Sequence, residues 1–356
     1  MPAFREGKVV RVLEERDDLT RAVVALGSED VEVVGFPKML GPLEAGDRVV
    51  VNTTGLDLGL GTGGVGFILW NLDGTAPPPE LEGHIVKMRY TPWQTEVLSA
   101  EEREGPHHDA LAETESIGGM PVVACSLHSQ IAGVAAGIKA QQPDARVGYL
   151  MTDGASLPIA WSNLVRQLRE VDLIDVTCTC GHAFGGDLEA VNVFSGLAAL
   201  RSGAEMDVAV VAMGPGVVGT GTTLGHTALE QGQILDAVAA LGGRGVACLR
   251  ITFADPRDRH TGVSHHALTA LRLVAHRPAI VAVPELTPEQ NDVVAAQLEE
   301  ARISDRHELR VVDGSPGLDL LRDKGVRPSS MGRSIDEVPE LFGAACAAGR
   351  IAANLL

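Results

Sequence analysis

The sequence predicts an α/β protein in which a small N-terminal β-barrel or sandwich-like domain precedes a doubly wound, mostly parallel α/β (Rossmann-like) domain. Three observations predict it. Short β-rich runs punctuated by Gly, Pro and Asp occupy the chain as far as Asn71. Beyond a proline-rich break at Asp73–Pro79, near-continuous apolar runs alternate with amphipathic stretches of helical length, the pattern of parallel strands covered on both faces. The chain is 45% hydrophobic but only 3% aromatic, so Ala, Val, Leu, Ile and Gly must fill its core, which suits close layers of helices on a sheet. With 356 residues it exceeds the ~100–200 of one ordinary core, and the break sets the division at 1–80 and 81–356.

In the first part the strand candidates are Lys8–Leu13, Arg21–Leu26, Val31–Val34, Arg48–Asn52 and Phe67–Trp70. The run Leu58–Gly64, glycine-rich, has too little side chain for an ordinary strand and reads as a loop or tight bend, and Asp73–Pro79 reads as a linker. In the second part the candidates are Pro121–Ser126, Arg146–Thr152, Leu173–Thr177, Met206–Met213, Gly245–Thr252, Ala279–Val283 and Leu309–Val312, with helices between them. Helix starts are expected at Ser156-Leu-Pro158, at Thr287-Pro-Glu-Gln290 and at the Thr227-x-x-Glu230 box. Asp187 and Glu189 are expected on different faces of a helix. The alanine-rich tail from Ile335 reads as a packed terminal helix or an oligomer contact.

Charge excludes some functions. The chain carries 29 basic and 47 acidic residues, a net charge of −18 that repels nucleic-acid backbones and anionic lipid. A small phosphorylated ligand is still permitted, because backbone N–H groups alone can bind a phosphate. Five scattered cysteines do not resemble a secreted disulfide framework, and Cys178 and Cys180 read as small buried residues. The uncharged stretches Gly118–Ile138 and Val208–Leu229 read as strand, turn and helix, so a cytoplasmic protein with no membrane and no nucleic-acid partner is expected.

Ligands of open α/β sheets sit outside the carboxyl ends of the strands, so the segments after each strand are the place to look. Six of the eleven histidines lie there: His128, His182, His226, His260, His265 and His266. Ser126 and His128 follow the first strand, Asp153 the second, His182 the third. Ser126, His128 and Asp153 lack the Gly-x-Ser-x-Gly elbow of a serine hydrolase. The fourth strand leads into Gly214-Pro-Gly-Val-Val-Gly-Thr-Gly-Thr-Thr-Leu-Gly-His226. Gly214-x-Gly216-x-x-Gly219 resembles a dinucleotide fingerprint, but it follows the fourth strand and not the first, Pro215 has no N–H, and no acidic residue stands about 20 positions on at the end of the next strand, which disfavours NAD(P). The loop is instead expected to bind an anion through Gly214, Gly216, Gly219, Thr220, Gly221 and Thr222.

The fifth strand gives Arg250, Asp255 and His260-x-x-x-x-His265-His266. Ser264 is expected to cap a helix whose first turn holds His265 and His266, where the helix dipole keeps both rings neutral. Neutral imidazole is what a metal ligand and a general base both require. His260 and His265 are therefore candidate ligands of a divalent metal, with His226 and Asp255 as further donors. His226, His265 and His266 are candidate bases, Asp153 an orienting carboxylate, and Arg250 a neutralising cation. The expected function is a small-molecule site for an anionic or phosphorylated metabolite, serving a metal-assisted hydrolase or transferase. The alternative is a non-catalytic ligand-binding, regulatory or scaffold protein, and in either case a homo-oligomer (dimer).

Several runs carry a resemblance. They are Asn52-Thr-Thr-Gly with Leu58–Gly64, Arg89-Tyr-Thr-Pro-Trp-Gln94, Pro106-His-His108, Gly181–Asn192, Gly214–Gln231, and Phe253-Ala-Asp-Pro-Arg with Gly262–His266. In these the chain resembles, over nearly its whole length, a bacterial family catalogued as a domain of unknown function. The resemblance implies the two-part layout and brings no activity with it.

Overall fold

The computed structural model describes residues 2–59, 64–74 and 83–356. Most of the expected glycine bend at Leu58–Gly64 and of the expected linker at Asp73–Pro79 lies outside the described residues. The chain divides into two compact units, one of residues 1–82 with 88–96 and one of residues 83–87 with 97–356. The segment 88–96 thus returns to the first unit, a departure from a single cut after residue 80.

In the first unit β1 (Phe4–Glu15), β2 (Thr20–Leu26), β3 (Glu29–Gly35), β4 (Arg48–Asn52) and β5 (Gly66–Asn71) close a barrel in the order β1-β2-β3-β5-β4. β3 pairs with β5 in parallel, and β1 closes on β4 antiparallel. Alternation explains why this part folds as it does. Along β2, Thr20, Ala22, Val24 and Leu26 are buried, and their apolar members join Val9, Val33, Val49, Val51 and Ile68 inside. Closure leaves no free sheet edge in the barrel.

Two short strands, β6 (Ile85–Lys87) and β7 (Thr95–Val97), precede the second unit's main sheet. That sheet is built from β8 (Pro121–Ala124), β9 (Val147–Thr152), β10 (Val176–Cys180), β11 (Leu188–Ala190), β12 (Val208–Met213), β13 (Arg244–Cys248), β16 (Ile280–Pro284) and β17 (Glu308–Val312). A small hairpin, β14 (Ile251–Thr252) with β15 (Gly262–Val263), lies between β13 and β16 in the chain. The order in the main sheet is β11-β10-β9-β12-β8-β13-β16-β17, every pair parallel. β8, β9 and β12 are buried at every residue, as strands covered on both faces must be.

Helices Gln130–Gln141, Asn163–Glu170, Ser315–Asp323 and Pro339–Ala353 cover one face, while Val193–Ala198, Glu230–Ala240, His265–Thr269 and Pro288–Glu300 cover the other. β8 sends its connection to the first face, whereas its two neighbours, β12 and β13, send theirs to the second. Such a reversal opens a crevice at the carboxyl ends of the strands.

Local expectations meet mixed outcomes. The third strand of this unit runs 176–180 and not 173–177, because Leu173 and Ile174 are buried in the turn before it. Cys178 and Cys180 then fall inside the strand and are buried. Asp187 stands just before β11 and Glu189 on it, not on a helix. Spaced two apart, both turn to β10, where Asp187 accepts from Thr177 and Glu189 from Thr179. The Asn163–Glu170 helix is capped by Ser162, with Pro158 serving only a short 3-10 turn. Thr227 spends its hydroxyl on Val218 N–H and Met213 Sδ while Glu230 bonds Thr152, so that box does not form. The Thr287 box does: Thr287 Oγ1 accepts from Gln290 N–H and Gln290 Oε1 from Thr287 N–H. Thr287→Ala is expected to cost about 1 kcal/mol in chemical denaturation, the usual worth of such a cap. Among the described residues no helix is long and apolar enough to cross a membrane.

Candidate metal centre

Two connections build the site. After β12 the chain crosses 214–226 as a tight hairpin: Gly219 bridges to His226, Thr220 N–H donates to Gly225 O at 2.8 Å, and Thr227 N–H donates to Val218 O at 3.0 Å. Gly221 makes the turn at φ +80°, a conformation that favours glycine. The hydroxyls of Thr220 and Thr222 bond each other at 2.9 Å, and Thr222 Oγ1 accepts from Gly225 N–H. The Thr220 N–H and the Thr220 and Thr222 hydroxyls, among the donors expected to cradle an anion, are thus turned on the loop itself. Its work is positional: it presents His226, in extended conformation, just before the 3-10 turn Thr227–Leu229 and the helix Glu230–Ala240.

After β13 comes Arg250, then the β14–β15 hairpin, whose long tip holds Asp255, Arg257 and the 3-10 turn Asp258–His260. Ser264 caps the helix His265–Thr269, its hydroxyl accepting from His266 N–H at 3.3 Å and meeting His260 Nδ1 at 2.7 Å. Since β12 and β13 flank β8 and send their connections to the same face, the two histidine segments meet.

There His226 and His266 stack nearly parallel, ring centroids 4.0 Å apart, and His265 stands edge-on to both at 5.5 and 4.4 Å. One ring nitrogen from each of the three can be chosen so that all lie within 4.8 Å of one another. His226 is 7% and His266 5% exposed, and both nitrogens of His226, Nε2 of His265 and Nδ1 of His266 are buried without a hydrogen-bond partner. Buried polar atoms left unpaired are costly, and such a concentration calls for an explanation. Gly219 is part of the packing, since a Cβ there would lie 3.1 Å from His266 Nε2.

Electrostatics keeps the rings neutral. Burial, with His226 and His265 adding to it, pushes His266 down to about 2; burial and the nearby Arg250 push His260 to about 4. Burial also lowers His265 and His226, for His226 against a small opposing effect of the Thr223 backbone. His260 packs 5.1 and 5.0 Å from His265 and His266 but commits Nδ1 to Ser264 and lies outside the trio. Asp255 accepts from Arg257 Nε and Nη2 at 2.9 and 2.8 Å, which holds its carboxyl well below the usual range, and Arg250 Nη2 stands 3.5 Å from it. Burial lowers Arg250 to about 10.

The other expected site residues go elsewhere. Asp153 accepts from His182 N–H at 2.8 Å, at the ends of β9 and β10. Its charge adds to burial in lifting Glu230 to about 7, and Glu230 accepts from Thr152 at 2.8 Å. A carboxyl raised from 4.5 to about 7 contributes stability in full below 4.5, and that contribution is lost as pH rises through 7. Glu230→Gln should therefore gain stability relative to the parent between pH 5 and 8, readable by urea denaturation at both. His128 is not poised as a base: Nε2 bonds Ser162 Oγ at 2.6 Å, Nδ1 bonds Met213 O at 3.2 Å, and burial lowers it to about 4. Ser126 Oγ reaches Gln130 at 3.4 Å.

Gln130 and Gln231 escaped the sequence reading, and Glu230 entered it only as a capping residue. The two glutamines are buried among strand-end backbone groups, Gln130 on Leu249 O and Gln231 on Ala124 O and Cys248 O. Only their position just after post-strand loops could have signalled them. A separate cleft of about 460 Å³ opens at the amino ends of the strands, where Arg244 is spent on Gly119 O and Arg201 on Met206 O.

The sequence pattern of one family, described as protein of unknown function (DUF3866), matches residues 32–349. The chain belongs to that family. The match takes in every residue of the histidine trio and its arginine neighbours. No curated protein matches this DUF3866 chain.

Proposed function

We propose that this DUF3866 protein holds a divalent transition-metal ion at His226, His265 and His266, and acts as a metal-assisted hydrolase or transferase on a small anionic metabolite. The observation that carries the reading is the trio: three imidazoles kept neutral by burial, with nitrogens within 4.8 Å of one another, and four of the six ring nitrogens buried without a hydrogen-bond partner. Three neutral imidazoles suit zinc, iron, cobalt, nickel or copper better than magnesium or calcium, which prefer oxygen. An ion held by three protein ligands keeps a coordination position for water or substrate and acts there as a Lewis acid. The chain's own residues supply the rest: Arg250 and Arg257 face the site with positive charge, and Ser264 fixes His260 and the start of the His265–Thr269 helix.

A binding role without chemistry is the second reading, and Asp255 favours it. Both of its oxygens are engaged by Arg257, so it is a poor general base. Elemental analysis of protein purified without a histidine tag, with thermal-shift titration of zinc and cobalt, tests the metal. About one ion per chain is expected, and a metal-free protein that no divalent ion stabilises would refute the centre. Phosphatase, esterase and transferase assays of the loaded protein then separate the two readings, silence across them favouring the binder.

A further inference from the structure

Beside the trio stands a guanidinium that the protein leaves unfinished. The Arg250 side chain is 4% exposed, and its Nε is buried with no hydrogen-bond partner. Its Nη2 shares Asp255 at 3.5 Å with Arg257, which already takes both carboxylate oxygens. The closest partner of Nη2 is the sulfur of Met331, at 3.3 Å, and the same sulfur lies 3.8 Å from Arg257 Nη2. A thioether is a weak acceptor, a poor match for two guanidinium groups whose natural partner is an oxyanion.

Met331 sits at the tip of a short hairpin, Ser329–Ser330 against Arg333–Ser334. It is 60% exposed and takes φ +51°, a left-handed conformation strained for methionine, beside Gly332 at φ +77°. A strained, exposed, apolar side chain laid across two cations is a removable stopper. The charges agree: Arg250 and Arg257 share one carboxylate, Asp255, between them. In a chain of net charge −18 this is a local positive site.

We propose that Arg250 and Arg257 form the receptor for an oxyanion of the ligand, phosphate or carboxylate, in the place taken by the Met331 thioether, and that the hairpin 329–334 is the gate the anion displaces. The proposal rests on the reading of this pocket as a small-molecule site, but it does not require the metal.

Isothermal titration of the metal-free protein with inorganic phosphate, and separately with acetate, tests it. Met331→Ala should tighten binding of the preferred anion about threefold or more, because the stopper is gone. Arg250→Gln should weaken it about tenfold or more, the loss expected for a charge-assisted pair. Metal content, measured on both variants, should stay at the parent value. Phosphate or acetate binding by a protein that carries no metal as purified and that no divalent ion stabilises would uphold this site while sinking the metal centre, and a protein that takes up metal but binds neither anion would do the reverse. Should Arg250→Gln fail to fold, Met331→Ala decides alone: unchanged or weakened binding of both anions overturns the proposal.

Discussion

On the proposed metal centre, a His266→Ala variant is expected to bind zinc or cobalt well over ~100-fold more weakly than the parent, beyond the ~10–100-fold that losing an outer-shell partner costs. The reason lies in the trio's economy. With three protein ligands, removal of one leaves two imidazoles, which do not make a site. Ions at about 1,000 times the dissociation constant stabilise the parent by about 4 kcal/mol, and this increment vanishes in the variant. His260→Ala is the informative contrast. His260 packs 5.0 Å from His266, a little farther than His226 at 4.0 and His265 at 4.4 Å, and spends its Nδ1 on Ser264, so its loss should cost no more than the ~10–100-fold of an outer-shell partner. Equilibrium dialysis with elemental analysis reads both, and equal losses in the two variants would remove the distinction drawn here between ligand and support.

Substitution of Gly137 or Gly349 by alanine strongly destabilises the second unit. Helices Gln130–Gln141 and Pro339–Ala353 cross so closely that a Cβ on Gly137 would lie 2.1 Å from Cys346 O, and one on Gly349 2.1 Å from Val134 O. Both obstacles are backbone, which cannot turn aside as a side chain can. Overpacking costs ~1–3 kcal/mol and more where backbones must part, against about 1 kcal/mol returned by alanine's better helix propensity. A net loss of about 2 kcal/mol or more is expected in denaturant midpoints at unchanged slope. Gly343 reverses the sign: it lies in the same helix, and a Cβ there meets only Leu318 Cδ1, at 3.9 Å. Gly343→Ala should be neutral or stabilising by up to about 1 kcal/mol.

The fold was legible wherever local chemistry decides the outcome. Short β-rich runs punctuated by Gly, Pro and Asp marked all five barrel strands, near-continuous apolar runs marked seven of the main sheet's eight, and Ser264 announced the helix that carries His265 and His266. β11 was missed because its three residues, Leu188–Ala190, are too short to show a period. The Thr227-x-x-Glu230 box failed because both side chains had better partners outside it, Val218 within the same loop and Thr152 on a distant strand. The site was half legible for a related reason. Sequence placed the histidines after strands, but strand order decides which strand ends are neighbours, and no local signal sets it. Since β12 and β13 flank β8, His226 joins His265 and His266, whereas Asp153, equally well placed in sequence, stands with Glu230 and the end of β10. Met331 carried no signal at all; its role depends on a hairpin meeting two arginines from another part of the chain.

The position of β8 also governs how the protein is made. β8 is first of the main sheet to be synthesised, yet both its partners, β12 (Val208–Met213) and β13 (Arg244–Cys248), come far later in the chain. At about 5–20 residues per second, the ribosome leaves this wholly apolar strand without a partner for several seconds or more, long after the barrel's last strand has ended at Asn71. The barrel can close co-translationally; the sheet cannot begin at its centre until most of the chain is out. Nascent chains stalled between β8 and β12 are therefore expected to be prone to aggregation.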